Sequence, residues 1–127
     1  MKTSELTGCA LDWAVARCLG HREYINYGSY IRVPSPDKQP GSLLFCPSTD
    51  WALAGPIIER EGSAFDARRE CGEIVGWIAA TENLREDDED GYSRPVEFNG
   101  PTPLIAAMRC FVASHLGDEV EIPEELK

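Results

Sequence analysis

The stretch GPTPLIAAMRCFVASHLG, Gly100 to Gly117, settles the broad architecture. Thr102 is a good N-cap, and Pro103 suits the first helical position, where its missing amide has no helical partner to lose. Gly117 stands where a helix turns out through the left-handed region. Leu104, Ala107, Met108, Phe111 and Val112 recur at helical spacing and form one apolar stripe. His115 continues that stripe into the last turn, where the helix dipole favours a cation, so it reads as a helix-end residue rather than a catalyst. The pattern predicts a helix over Thr102–Leu116.

A second helix is predicted at the other end, over Thr7–Leu19. Thr7 caps ALDWAVARCL, Gly20 follows it, and Leu6 with Leu11 has the spacing of a hydrophobic staple. Leu11, Ala14, Val15 and Cys18 share a face, Asp12 and Arg17 are expected to point outward, and Trp13 flanks the core. Between the helices the chain reads as β. Gly28–Val33 and Ser42–Cys46 are short strand candidates, and VPSPDKQPG (Val33–Gly41) is a proline-broken loop. GEIVGWIAA (Gly72–Ala80) reads as a buried strand whose glycines permit a bulge. Thr81–Ser93 is polar and acidic and reads as a mobile loop, Val96–Phe98 returns briefly to the sheet, and DEVEIP alternates like a short edge strand. The expectation is one α+β domain over residues 1–127, its terminal helices packed on a short, mainly antiparallel sheet, with flexible acid at about 82–93 and an acidic tail at about 118–127.

A chain of 127 residues that is 43% hydrophobic can bury one core without staples. The five cysteines are odd in number and scattered, with no CxxC and no Cys-His pair at zinc spacing. They read as reduced thiols, mostly small core hydrophobes. No metal or cofactor signature stands out. MKTSELTG lacks the apolar run of a signal peptide, and no segment approaches the length of a membrane span, so a cytoplasmic protein without membrane contact is expected.

The charge is −10, and it is uneven. Eleven of the 22 acids, with two of the 12 bases, fall in Glu82–Asp90 and Asp118–Lys127, which leaves eleven acids against ten bases elsewhere. A duplex-binding surface needs a basic face to neutralise phosphates, and none is visible, so charge argues against nucleic-acid polymer as a partner. Both acidic stretches read first as solvated surface.

PSTDWALAGPIIERE (Pro47–Glu61) holds the candidate site. Ser48 reads as the N-cap of a short helix ended by Gly55 and Pro56. Asp50 and Trp51 admit two readings: a capped helix over a core tryptophan, or a site in which Trp51 stacks on a base and Asp50 accepts from a ribose hydroxyl. The ligand-binding candidates are Ser48, Thr49, Asp50, Trp51, Glu59, Arg60, Thr102 and Arg109. Thr102 opens a helix N-terminus suited to phosphate, and Arg60 or Arg109 would add bidentate contacts. Glu59 and Glu61 would share one face of a strand, which keeps a carboxylate hydrolase as an alternative. Catalytic motifs built on Ser, Cys, His or a glycine-rich loop are missing from the sequence.

The order MKTSELTG–ALDWAVA, PSTDWA–GPIIERE and GPTPLIAAMR–FVASHLGDEVEIPEEL resembles the NinX-like family of lambdoid and P22-like tailed phages. The resemblance spans essentially the whole chain, with Pro34–Gly41 and Arg85–Gly91 outside it. It implies a small non-structural accessory protein made in an infected bacterium, and it brings no biochemical activity with it. Binding parts without catalytic parts suggest a counter-defence sponge that sequesters a small nucleotide-derived immune signal, as a homo-oligomer whose subunits enclose the ligand. The alternative is an acidic inhibitor of a host protein.

Overall fold

The computed structural model describes residues 1–34 and 42–127. Helix α1 (Gly8–Cys18) is followed by strands β1 (Ile25–Asn26), β2 (Ile31–Pro34) and β3 (Ser42–Phe45), which form an antiparallel sheet in that order. Helix α2 (Trp51–Glu61) then leads into β4 (Ala64–Glu70) and β5 (Glu73–Ala80). β6 (Arg85–Asp87) and β7 (Ser93–Pro95) make a separate hairpin, and β8 (Phe98–Gly100) returns to β5, giving the order β4-β5-β8. Helix α3 (Pro103–Leu116) and a 3-10 turn at Glu124–Leu126 complete the chain. This is the expected α+β domain.

Helix α3 is its spine. Leu104 and every residue from Ala106 to Ala113 are buried, so the helix is covered all round rather than along the single stripe read from its sequence. β8, β5 and β4 pack on one side of it, α1 and α2 on others. The closest approach is at Gly100, where a Cβ would stand 2.6 Å from the Ala106 amide nitrogen, so only glycine fits. Thr102 caps α3 as expected, its hydroxyl accepting the Ile105 amide at 3.2 Å. Leu6 and Leu11, the predicted staple, are both fully buried.

Several expectations need correction. Asp12 is buried rather than outward, because the loop before α2 folds across that face of α1. Gly55 and Pro56 lie inside α2, which continues to Glu61 and ends at Gly62 in the left-handed region. Pro56 cannot pair with the Ala52 carbonyl one turn earlier, but both residues are exposed, so that carbonyl sits on the wet face. β4 was not anticipated, since AFDARRE lacks an apolar alternation. β5 is buried only from Gly76 onward, and Ile74 and Val75 are half exposed. The bulge expected there is present: Arg68 pairs with Gly76 and Arg69 with Ile74, leaving Val75 as the extra residue. Cys71 and Gly72 join the two strands with φ of 51° and 84°, as a tight hairpin turn requires.

The acidic stretch after Thr81 contains the β6–β7 hairpin, with Arg85 donating to the Ser93 hydroxyl at 2.9 Å and to its carbonyl at 2.7 Å. DEVEIP forms no strand. It makes a single bridge between Lys2 and Glu119, and the tail is tied to the N-terminus by mutual bonds of Met1 and Val120 at 3.0 Å. Val120, Ile122 and Leu126 are buried, so the tail is part of the core despite its charge. Val33 and Pro34 of the proline-broken loop belong to β2, and the rest of that loop, 35–41, lies outside the described residues. No helix among the described residues is long and apolar enough to cross a membrane.

Candidate functional site

The eight candidate residues are spread over the fold. Asp50, not Ser48, caps α2: its carboxylate accepts the Ala52 amide at 2.9 Å. Ser48 is buried, and its amide donates to the Asp12 carboxylate at 2.9 Å. The Thr49 hydroxyl donates to the Cys46 carbonyl at 3.3 Å. Trp51 is 52% exposed, tilted against Phe65 with ring centroids 5.9 Å apart, so it is a surface aromatic and not a core one. Glu59 and Arg60 lie at the far end of the same helix, about 13 Å away at 1.5 Å per residue.

On that helix Glu59 and Glu61 point to different faces, which removes the shared face on which a two-carboxylate site depended. Glu61 is engaged elsewhere: it accepts from the Asn83 amide at 2.5 Å, and His115 Nε2 lies 3.1 Å from it. The Arg60 guanidinium is exposed, 5.9 Å from the Phe111 ring centre. Arg109 is buried, donating through Nε to the Leu6 carbonyl at 2.8 Å and through Nη1 to the Asn99 carbonyl at 2.7 Å. Two of its donors therefore hold the N-terminal segment and β8 together. Thr102 spends its hydroxyl on its own helix.

A concave site forms elsewhere, around the β1–β2–β3 sheet. A cleft of about 600 Å3 is lined by Arg22, Glu23, Tyr24, Arg32, Pro34 and Ser42. Strand alternation buries Ile31 and Val33 and turns Arg32 to the other face. Its guanidinium is held by Ser42, donating through Nε to the hydroxyl at 2.7 Å and through Nη2 to the carbonyl. Arg22 is exposed in the connection after α1. Tyr24 forms part of the wall and donates its hydroxyl to the Glu125 carboxylate; that bond, followed by burial, pushes the phenol up to about 12.

A smaller cleft of about 270 Å3 also has Val33 in its wall, together with residues of the sheet face opposite Arg32. Leu43, Phe45, Leu53 and Ile57 make it apolar, and His21 and Arg60 are its polar members. The His21 ring meets Phe45 edge-on, with centroids 5.7 Å apart. Of the residues proposed from sequence, only Arg60 lines either cleft. Arg22 and Arg32 were missed, although Arg32 between two β-favouring aliphatics was a readable signal of an outward cation.

Four of the five cysteines lie within the folded mass, and Cys71 is exposed on the β4–β5 turn. Burial, then the Glu61 charge, pushes Cys18 up to about 12; burial pushes Cys110 up to about 11. Both are unreactive thiols at neutral pH.

The profile of the family described as "Bacteriophage P22, NinX" matches residues 2–115, nine-tenths of the chain. No curated protein shows significant similarity.

Proposed function

The chain belongs to the bacteriophage P22 NinX family, and from that premise we propose that it is a non-enzymatic accessory protein that sequesters a small nucleotide-derived immune signal in the cytoplasm of the infected host. One observation carries this reading: Arg22 and Arg32 line one cleft of about 600 Å3, with Tyr24 in its wall. A nucleotide needs a pair of guanidiniums for phosphate and an aromatic wall for a base, and this cleft offers Arg22, Arg32 and Tyr24. Arg32 is already held in place by Ser42, so little side-chain freedom is lost when an anion binds. In a chain of charge −10, Arg22 and Arg32 outnumber the one acid, Glu23, in this cleft.

The experiment is thermal melting and calorimetric titration with a panel of mononucleotides, dinucleotides and cyclic oligonucleotides. At least one should raise the melting temperature, and Arg32→Ala should weaken its binding by about tenfold or more, the weight of a charge-assisted contact. If no member of the panel binds, or if Arg22→Ala and Arg32→Ala bind as the parent does, the reading fails. The β6–β7 hairpin supports a second reading, an acidic inhibitor of a host protein, because it presents Glu86 and Asp87 on a formed strand. Under that reading, replacing Glu86 and Asp87 with Lys removes activity in infected cells and leaves nucleotide binding unchanged.

A further inference from the structure

Strand β4 is the outer strand of its sheet, and among the described residues no other strand pairs with its free edge; the Ala67 amide donates to the Asp66 carboxylate at 2.8 Å. All of its residues except Ala67 are exposed. Exposed edges of this length usually carry a proline, a lysine or a bulge that blocks further pairing. AFDARRE has no proline or lysine, and the irregularity in the β4–β5 ladder places its extra residue, Val75, on β5; its four charged side chains bar a partner of like charge and admit one that matches them. The open edge of β4 is therefore regular.

Its sequence is complementary to itself. Let two copies lie antiparallel with Ala67 opposite Ala67. Asp66 of each then faces Arg68 of the other, and Phe65 faces Arg69. A twofold axis normal to the sheet allows only shifts that keep side chains on their own faces, and the neighbouring allowed registers are unfavourable. Centring on Asp66 opposes two aspartates. Centring on Arg68 opposes two arginines and sets Asp66 against Glu70. Opposite charges directly across an antiparallel pair stabilise it, and like charges destabilise it, so the charges select one register.

Three further observations agree. Ala64–Glu70 holds two acids and two bases, a neutral strip in a chain of charge −10 whose copies otherwise repel. Among the described residues, Asp66, Arg68 and Arg69 make no ion pair within their own protomer. Phe65, 38% exposed, lies against Trp51 on the face where Arg69 of a second copy would arrive, and a guanidinium over that aromatic pair would cover it.

We propose that two copies of this chain associate edge to edge through β4, antiparallel and centred on Ala67, joining their three-stranded sheets into one continuous sheet. The contact is made by β4, with Trp51 beside Phe65 at its margin, and does not depend on any ligand.

Sedimentation velocity tests it on the wild type, Asp66→Arg, Arg68→Asp and the combined Asp66→Arg/Arg68→Asp chain. The wild type should sediment at twice the 14.0 kDa of one chain. A concentration of about 100 μM is enough to populate an interface of micromolar affinity. Each single substitution opposes like charges at two symmetric points and should raise the dimer Kd about tenfold or more; the combined chain restores both pairs and should return to within about threefold of wild type. Both residues are exposed, so at concentrations low enough to keep all four proteins monomeric they should share one melting temperature. Hydrogen exchange over Phe65–Arg69 in the wild type, slowing as concentration rises, reads the same contact without any substitution. A wild type that stays monomeric overturns the proposal. So does a dimer indifferent to the single changes, or a combined chain that dimerises no better than either single one.

Discussion

The Asp12 carboxylate accepts the Ser48 amide at 2.9 Å, and both residues are buried. This bond fastens α1 to the turn that launches α2. Burial outweighs the two Ser48 contacts and pushes the Asp12 carboxyl from 3.8 up to about 6.

The sign of the resulting pH dependence follows from linkage. A folded-state pKa above the unfolded one means that the folded protein holds its proton longer, so this group's contribution to stability falls as pH rises from about 4 to about 6. Asp12→Asn keeps an oxygen for the Ser48 amide and removes the buried charge. It should stabilise the protein by about 1–3 kcal/mol at pH 7.5 and change little at pH 4. Urea unfolding of both proteins at the two pH values measures this; an Asn variant that is less stable at pH 7.5 would show that the charged bond outweighs desolvation.

Arg109→Met keeps the apolar stem of the side chain and deletes both donors. The Leu6 and Asn99 carbonyls lose their Arg109 donor in the interior, and unfolding free energy should drop by about 2–4 kcal/mol. Ligand affinity, measured on the folded fraction, should not change, because Arg109 lines neither cleft.

Gly100→Ala forces a methyl group against the Ala106 backbone at the start of α3. Neither the helix start nor β8, paired to Trp77 by Gly100 itself, can move freely. A loss of about 1–3 kcal/mol is expected from overpacking, read as a lower denaturation midpoint with an unchanged slope.

Asp50 and Trp51 should separate cleanly. Asp50→Ala removes the α2 cap and should lower stability by about 1 kcal/mol. Trp51→Ala, at a half-exposed surface position, should cost less than about 1 kcal/mol in dilute solution. Its effect belongs to self-association, where it should weaken the dimer.

What the sequence by itself determined is local. α1 and α3 were legible end to end because terminal glycines, apolar spacing and, in α3, the Thr102 cap act within a few residues of one another, although the Thr7 side chain makes no capping bond on α1. The family blocks were legible for the same reason, being contiguous. Other features depended on residues distant in the chain. Asp12 reads as a surface acid until Ser48 covers it, thirty-six positions later. The acidic tail reads as solvated until Val120 pairs with Met1. Arg109 reads as a ligand contact until Leu6 and Asn99 surround it. Pro56 reads as a helix stop, but tertiary packing of Ala54 and Ile57 offsets one missing bond on a wet face. The candidate clefts were the least legible part, since Arg22, Arg32, Phe45 and Arg60 come from four separate segments. Chain-local propensity sets helices and turns; burial and concavity arise only when distant segments exclude water together, and only the tertiary structure decides where that happens.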